Sequence, residues 1–315
     1  MRQTPHILVV NGTKVRRPVF VVGAPHSGTG MVARAVKRSH GFHLTRGRPS
    51  VTKMVYAFAR RPSMAADSGR GAARVLRDAF AEAWRLGPGT CAECPPECRV
   101  LSGSAGARGD APCADPSGVH RFADATPDLI YSTDVLLDAF PDAQIVQVIR
   151  DGRDVVADML DDERCLAWFR PGILNIDHVF PHPFLGVDEP EWRRRWAQSS
   201  TAIKCALRWR GSVRLSAALH AQIPEEQLLT LRMEDIVAAP SATATRLSDY
   251  LGEPISAEAL TAAASRHTAD HRPNLPALPG ADPATGWRDR LTPRQIAQIH
   301  KIAARELQRL GYAKD

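Results

Sequence analysis

Three compact apolar runs punctuate the chain, and each leads through a polar turn into a stretch of helical periodicity. Pro18-Val-Phe-Val-Val22 ends at Gly23, after which Met31, Val32, Ala35 and Val36 recur at spacings of three and four. Ala143-Gln-Ile-Val-Gln-Val-Ile149 precedes a charged turn and a helix from Asp154 to Leu160. Leu228-Leu-Thr-Leu231 precedes a polar turn and a helix from Ser241 to Leu251, closed by Gly252. Strands alternating with helices predict an α/β chain with a central parallel sheet flanked by helices. Ligands of such sheets bind beyond the carboxyl ends of the strands, where the loops at 23–30 and 150–153 fall. Near the C-terminus, Thr292-Pro-Arg-Gln295 carries a cap residue, a proline at the first helical position and a glutamine at the third. Ile296, Ile299, Ala303, Leu307 and Leu310 then mark the apolar face of a packing helix.

Two segments break the alternation. Gly87 to Gly118 is rich in Gly, Pro, Ser and Cys and reads as an insertion; His271 to Gly286 is rich in Pro and reads as a lid over the ligand site. The expected organisation is a single domain over 15–315 with the Cys-rich insertion at about 87–118. Four of the six cysteines lie in that insertion, as Cys91, Cys94, Cys98 and Cys113. Neither a signal-peptide core nor a run long enough to span a membrane is visible, so a cytoplasmic location is expected. Clustered cysteines in that setting favour a metal over disulfides. A structural Zn²⁺ held by the four thiolates is the expectation, with an iron–sulfur cluster or two disulfides as alternatives.

Charge narrows the partners. Across 315 residues, 41 Lys and Arg against 34 Asp and Glu give a net +7, which suits an anionic ligand. The basic residues are dispersed rather than run together, so a small anionic molecule is expected ahead of nucleic acid. Oligomeric state is not legible.

The loop Gly23-Ala-Pro-His-Ser-Gly-Thr-Gly30 joins the first apolar run to its helix. Amides at a helix N-terminus point at whatever sits there, and the helix dipole adds positive potential. Gly28 and Gly30 allow close approach, and Ser27 and Thr29 add hydroxyl donors. An oxyanion site follows. A nucleoside-triphosphate loop would read G-x-x-x-x-G-K-[ST], but Thr29 stands in the Lys position and Gly30 in that of the Mg²⁺ ligand. That argues against a phosphate-loop kinase or nucleotide hydrolase.

The loop resembles the 5′-phosphosulfate loop, G-x-P-[RKH]-S-G-T, of sulfotransferases that use 3′-phosphoadenosine 5′-phosphosulfate (PAPS). The resemblance continues in order. Phe122-Ala-Asp-Ala-Thr-Pro127 is similar to D-K-T-P, Val148-Ile-Arg-Asp-Gly-Arg-Asp-Val155 to V-x-R-D-G-R-D-V, Leu231-Arg-Met-Glu-Asp-Ile236 to R-Y-E-D-L, and Gly286-Trp-Arg288 to G-x-W-[RK]. The match is closest to bacterial sulfotransferases of small molecules and carbohydrates. It implies that Ser27, Gly28, Thr29 and Gly30 cradle the 5′-phosphosulfate, that Arg150 holds the 3′-phosphate, and that Trp287 and Arg288 close over the nucleotide. His26 takes the place of the Lys or Arg that stabilises the leaving phosphate, and as a histidine it could do so only as a donor.

Three positions depart from the pattern: Asp158 replaces a Ser beside the 3′-phosphate, Ala125 the Lys of D-K-T-P, and Met233 the Tyr of R-Y-E-D. Arg153, Lys204 and Arg272 are candidate substitutes for the missing contacts. The general base is expected to be Asp124 or His43, with His178 and His182 behind them. The segment from Arg164 to Trp196, rich in aromatics and histidines, is a candidate acceptor pocket. The expected activity is sulfuryl transfer from PAPS to a hydroxyl, or as second choice an amine, of a small molecule such as a natural product or carbohydrate. The alternatives are a catalytically altered nucleotide-binding protein of the same fold and a phosphate-loop kinase.

Overall fold

The computed structural model describes residues 7–60, 70–102, 111–167, 169, 189–271 and 286–312. Its centre is a five-stranded sheet of β1 (Val19–Gly23), β2 (Phe42–Thr45), β3 (Arg121–Asp124), β4 (Gln144–Ile149) and β5 (Leu228–Arg232). The spatial order is β2-β3-β1-β4-β5, and every pairing is parallel. A two-stranded ribbon of Val9–Val10 and Thr13–Lys14 precedes it. The helices are α1 (Thr29–Lys37), α2 (Pro49–Arg60), α3 (Arg70–Ala83), α4 (Pro96–Ser102), α5 (Thr133–Ala139), α6 (Gly152–Leu160), α7 (Glu163–Ala167), α8 (Pro190–Arg195), α9 (Thr201–Gln222), α10 (Met233–Ala238), α11 (Pro240–Leu251), α12 (Ala257–His271), α13 (Trp287–Arg290) and α14 (Pro293–Arg309).

The unbroken apolar run of β1 is explained by its central place, since a strand buried on both faces has no polar side. Phe20 and Val22 enter one core with Phe80, Trp84, Phe122 and Phe140, between the sheet and α2, α3 and α5. Val19 and Val21 enter another with Val32, Val36, Leu247 and Leu260, under α1, α11 and α12. A third core joins α6, α9 and α14 through Val156, Trp209, Ile299 and Leu307. The Trp209 ring lies so close to α6 that a Cβ at Gly152 would stand 2.7 Å from it. The capping box at the start of α14 forms as its sequence predicts, with Gln295 and Thr292 exchanging side-chain and backbone bonds.

Two strands are absent from the sequence reading. β2 (Phe-His-Leu-Thr) and β3 (Arg-Phe-Ala-Asp) are four residues each and carry polar groups, yet every position is buried. Arg121 finds its partners far along the chain, donating to the carbonyls of Leu251 and Arg17 and to Gln144 Oε1. Within the Cys-rich segment, the described residues contain a 3-10 turn at Thr90–Glu93 and α4. Most of the expected lid, 272–285, and most of the expected acceptor segment, including Trp168, His178 and His182, lie outside the described residues, as does Arg272.

Candidate active site

The 23–30 loop leaves β1 at its carboxyl edge, at the centre of the sheet. Backbone bonds from Ser27 to Ala24 (3.1 Å) and from Met31 to Gly28 (3.0 Å) close it into a compact turn. Gly28 adopts φ +100°, and a Cβ there would stand 2.3 Å from Met233 Sδ, so glycine is required twice over. Gly23 is equally constrained, its Cβ position lying 2.5 Å from the Val148 carbonyl oxygen and from Ser27 Oγ. The result is a cradle of unused donors. The amides of Gly28, Thr29 and Gly30 have no acceptor among the described residues. Ser27 Oγ is buried without a hydrogen-bond partner. A buried orphan hydroxyl costs free energy unless something outside the chain completes it, so the loop fits an anion.

A cation that the sequence reading missed serves this cradle. Arg46, in the loop after β2, lays its guanidinium over Gly30, with the central carbon and both terminal nitrogens 3.9 Å from where a Gly30 Cβ would stand. Arg46 also donates to the Ala125 carbonyl (3.2 Å). The positive charge absent at Ala125 thus arrives from the neighbouring strand end. The only signal in the sequence is the Arg46-Gly47-Arg48 triplet, whose place beside the loop follows from the β2-β3-β1 order.

His26 sits in the left-handed region at φ +61°. Its Nε2 lies 3.1 Å from Asp162 Oδ2 and 3.6 Å from Cys165 Sγ. Burial lowers the His26 pKa against the opposing pull of Asp158 and Asp162. Burial pushes Asp162 up, yet the Arg164 amide and His26 hold it below the usual carboxylate range. An ionised carboxylate only accepts, so the neutral ring donates from Nε2 and keeps Nδ1 as its proton acceptor. The donor role expected for His26 is thus directed, at Nε2, toward Asp162.

The adjacent turn from β4 into α6 is built differently. Arg150 is 2% exposed and already paired, its Nη1 donating to the His26 carbonyl (2.8 Å) and to Asp158 Oδ2 (2.5 Å). Asp158 also accepts from Arg290 on α13. One turn earlier on α6, Asp154 Oδ1 accepts from the amides of Gly286 (2.8 Å) and Trp287 (3.0 Å). Two carboxylates at i and i+4 thus dock the 286–290 segment onto α6. Trp287 is buried and flanked by the guanidinia of Arg153 and Arg288, each 4.3 Å from its ring. Arg153 is tied to Asp151, and Lys204 lies over Trp196. Met233 is buried against Gly28.

Neither favoured candidate for the general base is presented to the loop. Asp124 is fully buried, with Oδ2 accepting from Thr45 Oγ1 (2.6 Å) and Oδ1 from the Thr126 amide (2.7 Å). Burial pushes its carboxyl up to about 6, but both oxygens are spent on joining the ends of β2 and β3. His43 is 2% exposed and faces the cysteines, its Nδ1 4.0 Å from Cys113 Sγ. The four cysteines of the insertion are free thiols. They meet as a chain of contacts, Cys113 with Cys91, Cys91 with Cys94, and Cys94 with Cys98. Among the described residues, the potential ligand atoms that all lie within 4.8 Å of one another are instead those of His26, Asp162 and Cys165.

Residues 18–168, which contain the cradle, Arg46 and the β4–α6 turn, match the sequence model of the sulfotransferase family. This part of the chain is similar to that family. No curated protein sequence matches the chain. Among solved structures, the chain is similar to a sulfotransferase domain from the curacin biosynthetic pathway at 14% identity, covering 95% of this chain and 100% of that one with a TM-score of 0.47. It is similar to sulfotransferase STF9 from Mycobacterium avium at 14% identity, covering 93% and 76%, TM-score 0.45. Mouse sulfotransferase SULT7A1, solved in complex with PAP, is similar at 12% identity over 93% and 85%, TM-score 0.42. The family is one of transferases. No described helix of this chain is long and apolar enough to cross a membrane.

Proposed function

We propose that the protein transfers a sulfuryl group from PAPS to a hydroxyl of a small molecule, a natural product or carbohydrate being the acceptor class. The observation that carries this reading is the cradle itself: a buried, unpartnered Ser27 hydroxyl and three free amides, with Arg46 alongside and neither a Walker lysine nor a Mg²⁺ hydroxyl. When bound, PAPS supplies the sulfuryl group. Ser27, Gly28, Thr29 and Gly30 hold the 5′ anion by hydrogen bonds to charge, which are the strong ones, and Arg46 adds a fixed positive charge. His26, oriented by Asp162, takes the proton of the acceptor hydroxyl on Nδ1. Asp162 is the positioning residue. Because His26 must be neutral for this, activity should fall on the acid side with a midpoint below the ordinary histidine value of 6.5.

A second reading rests on Arg150. With its guanidinium neutralised by Asp158, the chain could bind nucleotide without transferring sulfate. Incubation with sulfur-labelled PAPS and a panel of phenols, sugars and amines separates the two. Label in an acceptor supports transfer, and binding of PAP without label in any product supports the second reading. Magnesium-dependent ATP turnover would contradict both.

A further inference from the structure

The Cys-rich segment carries chemistry that sulfuryl transfer does not use. Cys91 and Cys94 lie on the 3-10 turn and its end, Cys98 on the first turn of α4, and Cys113 returns from the far side of the insertion. Besides contacting one another in sequence, the sulfurs are met by cations. Lys37 Nζ donates to Cys113 Sγ (2.9 Å), and Arg48 Nη1 donates to Cys94 Sγ (3.4 Å). Both cations are buried. Lys37 has no carboxylate partner among the described residues, and the carboxylate nearest Arg48 is the exposed Glu93 at 3.9 Å. Two buried cations without buried counter-ions are costly unless negative charge lies close by; besides the Leu44 carbonyl (2.7 Å from Lys37 Nζ) and the Thr90 carbonyl (3.0 Å from Arg48 Nη1), sulfur is what they face.

The geometry points to a structural zinc site in which Cys91, Cys94, Cys98 and Cys113 bind Zn²⁺ as thiolates, with Lys37 and Arg48 as its charge-balancing outer shell. The arithmetic closes. One Zn²⁺ and four thiolates sum to −2, and Lys37 and Arg48 restore neutrality. Soft thiolate donors select zinc over hard cations, and donors to the sulfurs are what an outer shell supplies. Each thiol still protonated releases its proton to water as its Zn–S bond forms. His43 lies beside the set, its Nδ1 4.0 Å from Cys113 Sγ. Lys37 ends α1 and Arg48 follows Arg46, so the metal would pin the helix that begins at the cradle and the loop that supplies its cation. The site is independent of the proposed sulfuryl transfer.

The test is metal analysis of the full chain expressed with zinc, followed by replacement with Co²⁺ alone. About one zinc per chain is expected, with a cobalt spectrum of intense thiolate charge transfer and tetrahedral d–d bands. A Cys94→Ser, Cys98→Ser double variant should lose the metal, whereas Ser27→Ala should keep it. Should the double variant fail to fold, Lys37→Met and Arg48→Met carry the test. Each should release zinc to a chelator roughly 10–100-fold faster, the usual size of an outer-shell effect. Sub-stoichiometric metal would overturn the proposal. So would metal retained by the double variant, which would move the site to His26, Asp162 and Cys165, or chelator release unchanged in both cation variants.

Discussion

Two strand-to-helix turns stand side by side at the carboxyl edge of β1 and β4, and they differ in what they leave unfinished. The β1–α1 turn keeps a buried hydroxyl and three amides without acceptors. The β4–α6 turn has its guanidinium charge already paired, Arg150 Nη1 donating to Asp158, eight residues on, and to the His26 carbonyl, while its Nε has no partner among the described residues. Unfinished donors mark a place where binding adds interactions. A charge already paired marks a place where binding must first break something. The same residue types, Ser and Gly in one turn and Arg in the other, would have looked equally ready from their motifs.

The largest effect that bears on this contrast is on stability. Asp158→Ala would strand Arg150 in the interior, and losing one member of a buried ion pair costs roughly 3–5 kcal/mol. Urea unfolding should show that loss, whereas Ser27→Ala should stay within about 0.5 kcal/mol of the parent because its hydroxyl has no partner to lose. Equal stability of the two variants would break the comparison.

Next comes the buried carboxylate beneath the cradle. The Asp124 pKa is raised from 3.8 to about 6, so between those values the folded chain binds more protons than the unfolded one. Its contribution to stability therefore falls as pH rises from about 4 to about 6, by up to roughly 3 kcal/mol at 1.36 kcal/mol per unit. Asp124→Asn should remove that descending component from a stability–pH profile. A profile of unchanged shape would show that Asp124 is not held in the way described.

Nucleotide affinity gives the third effect. Ser27→Ala removes a hydrogen bond to a charged group, about 1.5–3 kcal/mol or roughly 10–100-fold in Kd for 3′-phosphoadenosine 5′-phosphate. The smallest effect is the most discriminating. Asp158→Asn keeps an acceptor for Arg150 but withdraws the neutralising charge, so affinity for the 3′-phosphorylated nucleotide should tighten about tenfold, near 1.4 kcal/mol. No tightening would mean that Arg150 does not face the nucleotide even when its charge is released.

What the sequence disclosed follows the same division. β1, its glycine-rich turn and α1 were legible because strand burial and turn geometry depend on neighbouring residues. The same holds for β4, β5 and the α14 capping box. β2 and β3 were hidden because His43, Thr45, Arg121 and Asp124 are polar, and their partners lie elsewhere in the chain. Asp158 stood out only as a departure from the family pattern because Arg290, the partner that helps hold it, lies 132 residues away. Asp124 and His43 were plausible bases by residue type. The structure turns one into a joint between strand ends and the other toward the cysteines. Arg46 could be placed only once the strand order was known.

The central claim is that the β1–α1 cradle, with Arg46, is an unfinished site for a 3′-phosphorylated adenine nucleotide. Calorimetric titration of the full chain with 3′-phosphoadenosine 5′-phosphate, beside AMP, ADP and ATP, tests it most directly. The account predicts saturable binding of the 3′-phosphorylated nucleotide in preference to the other three. Preference for ATP, or no binding of any, would contradict it.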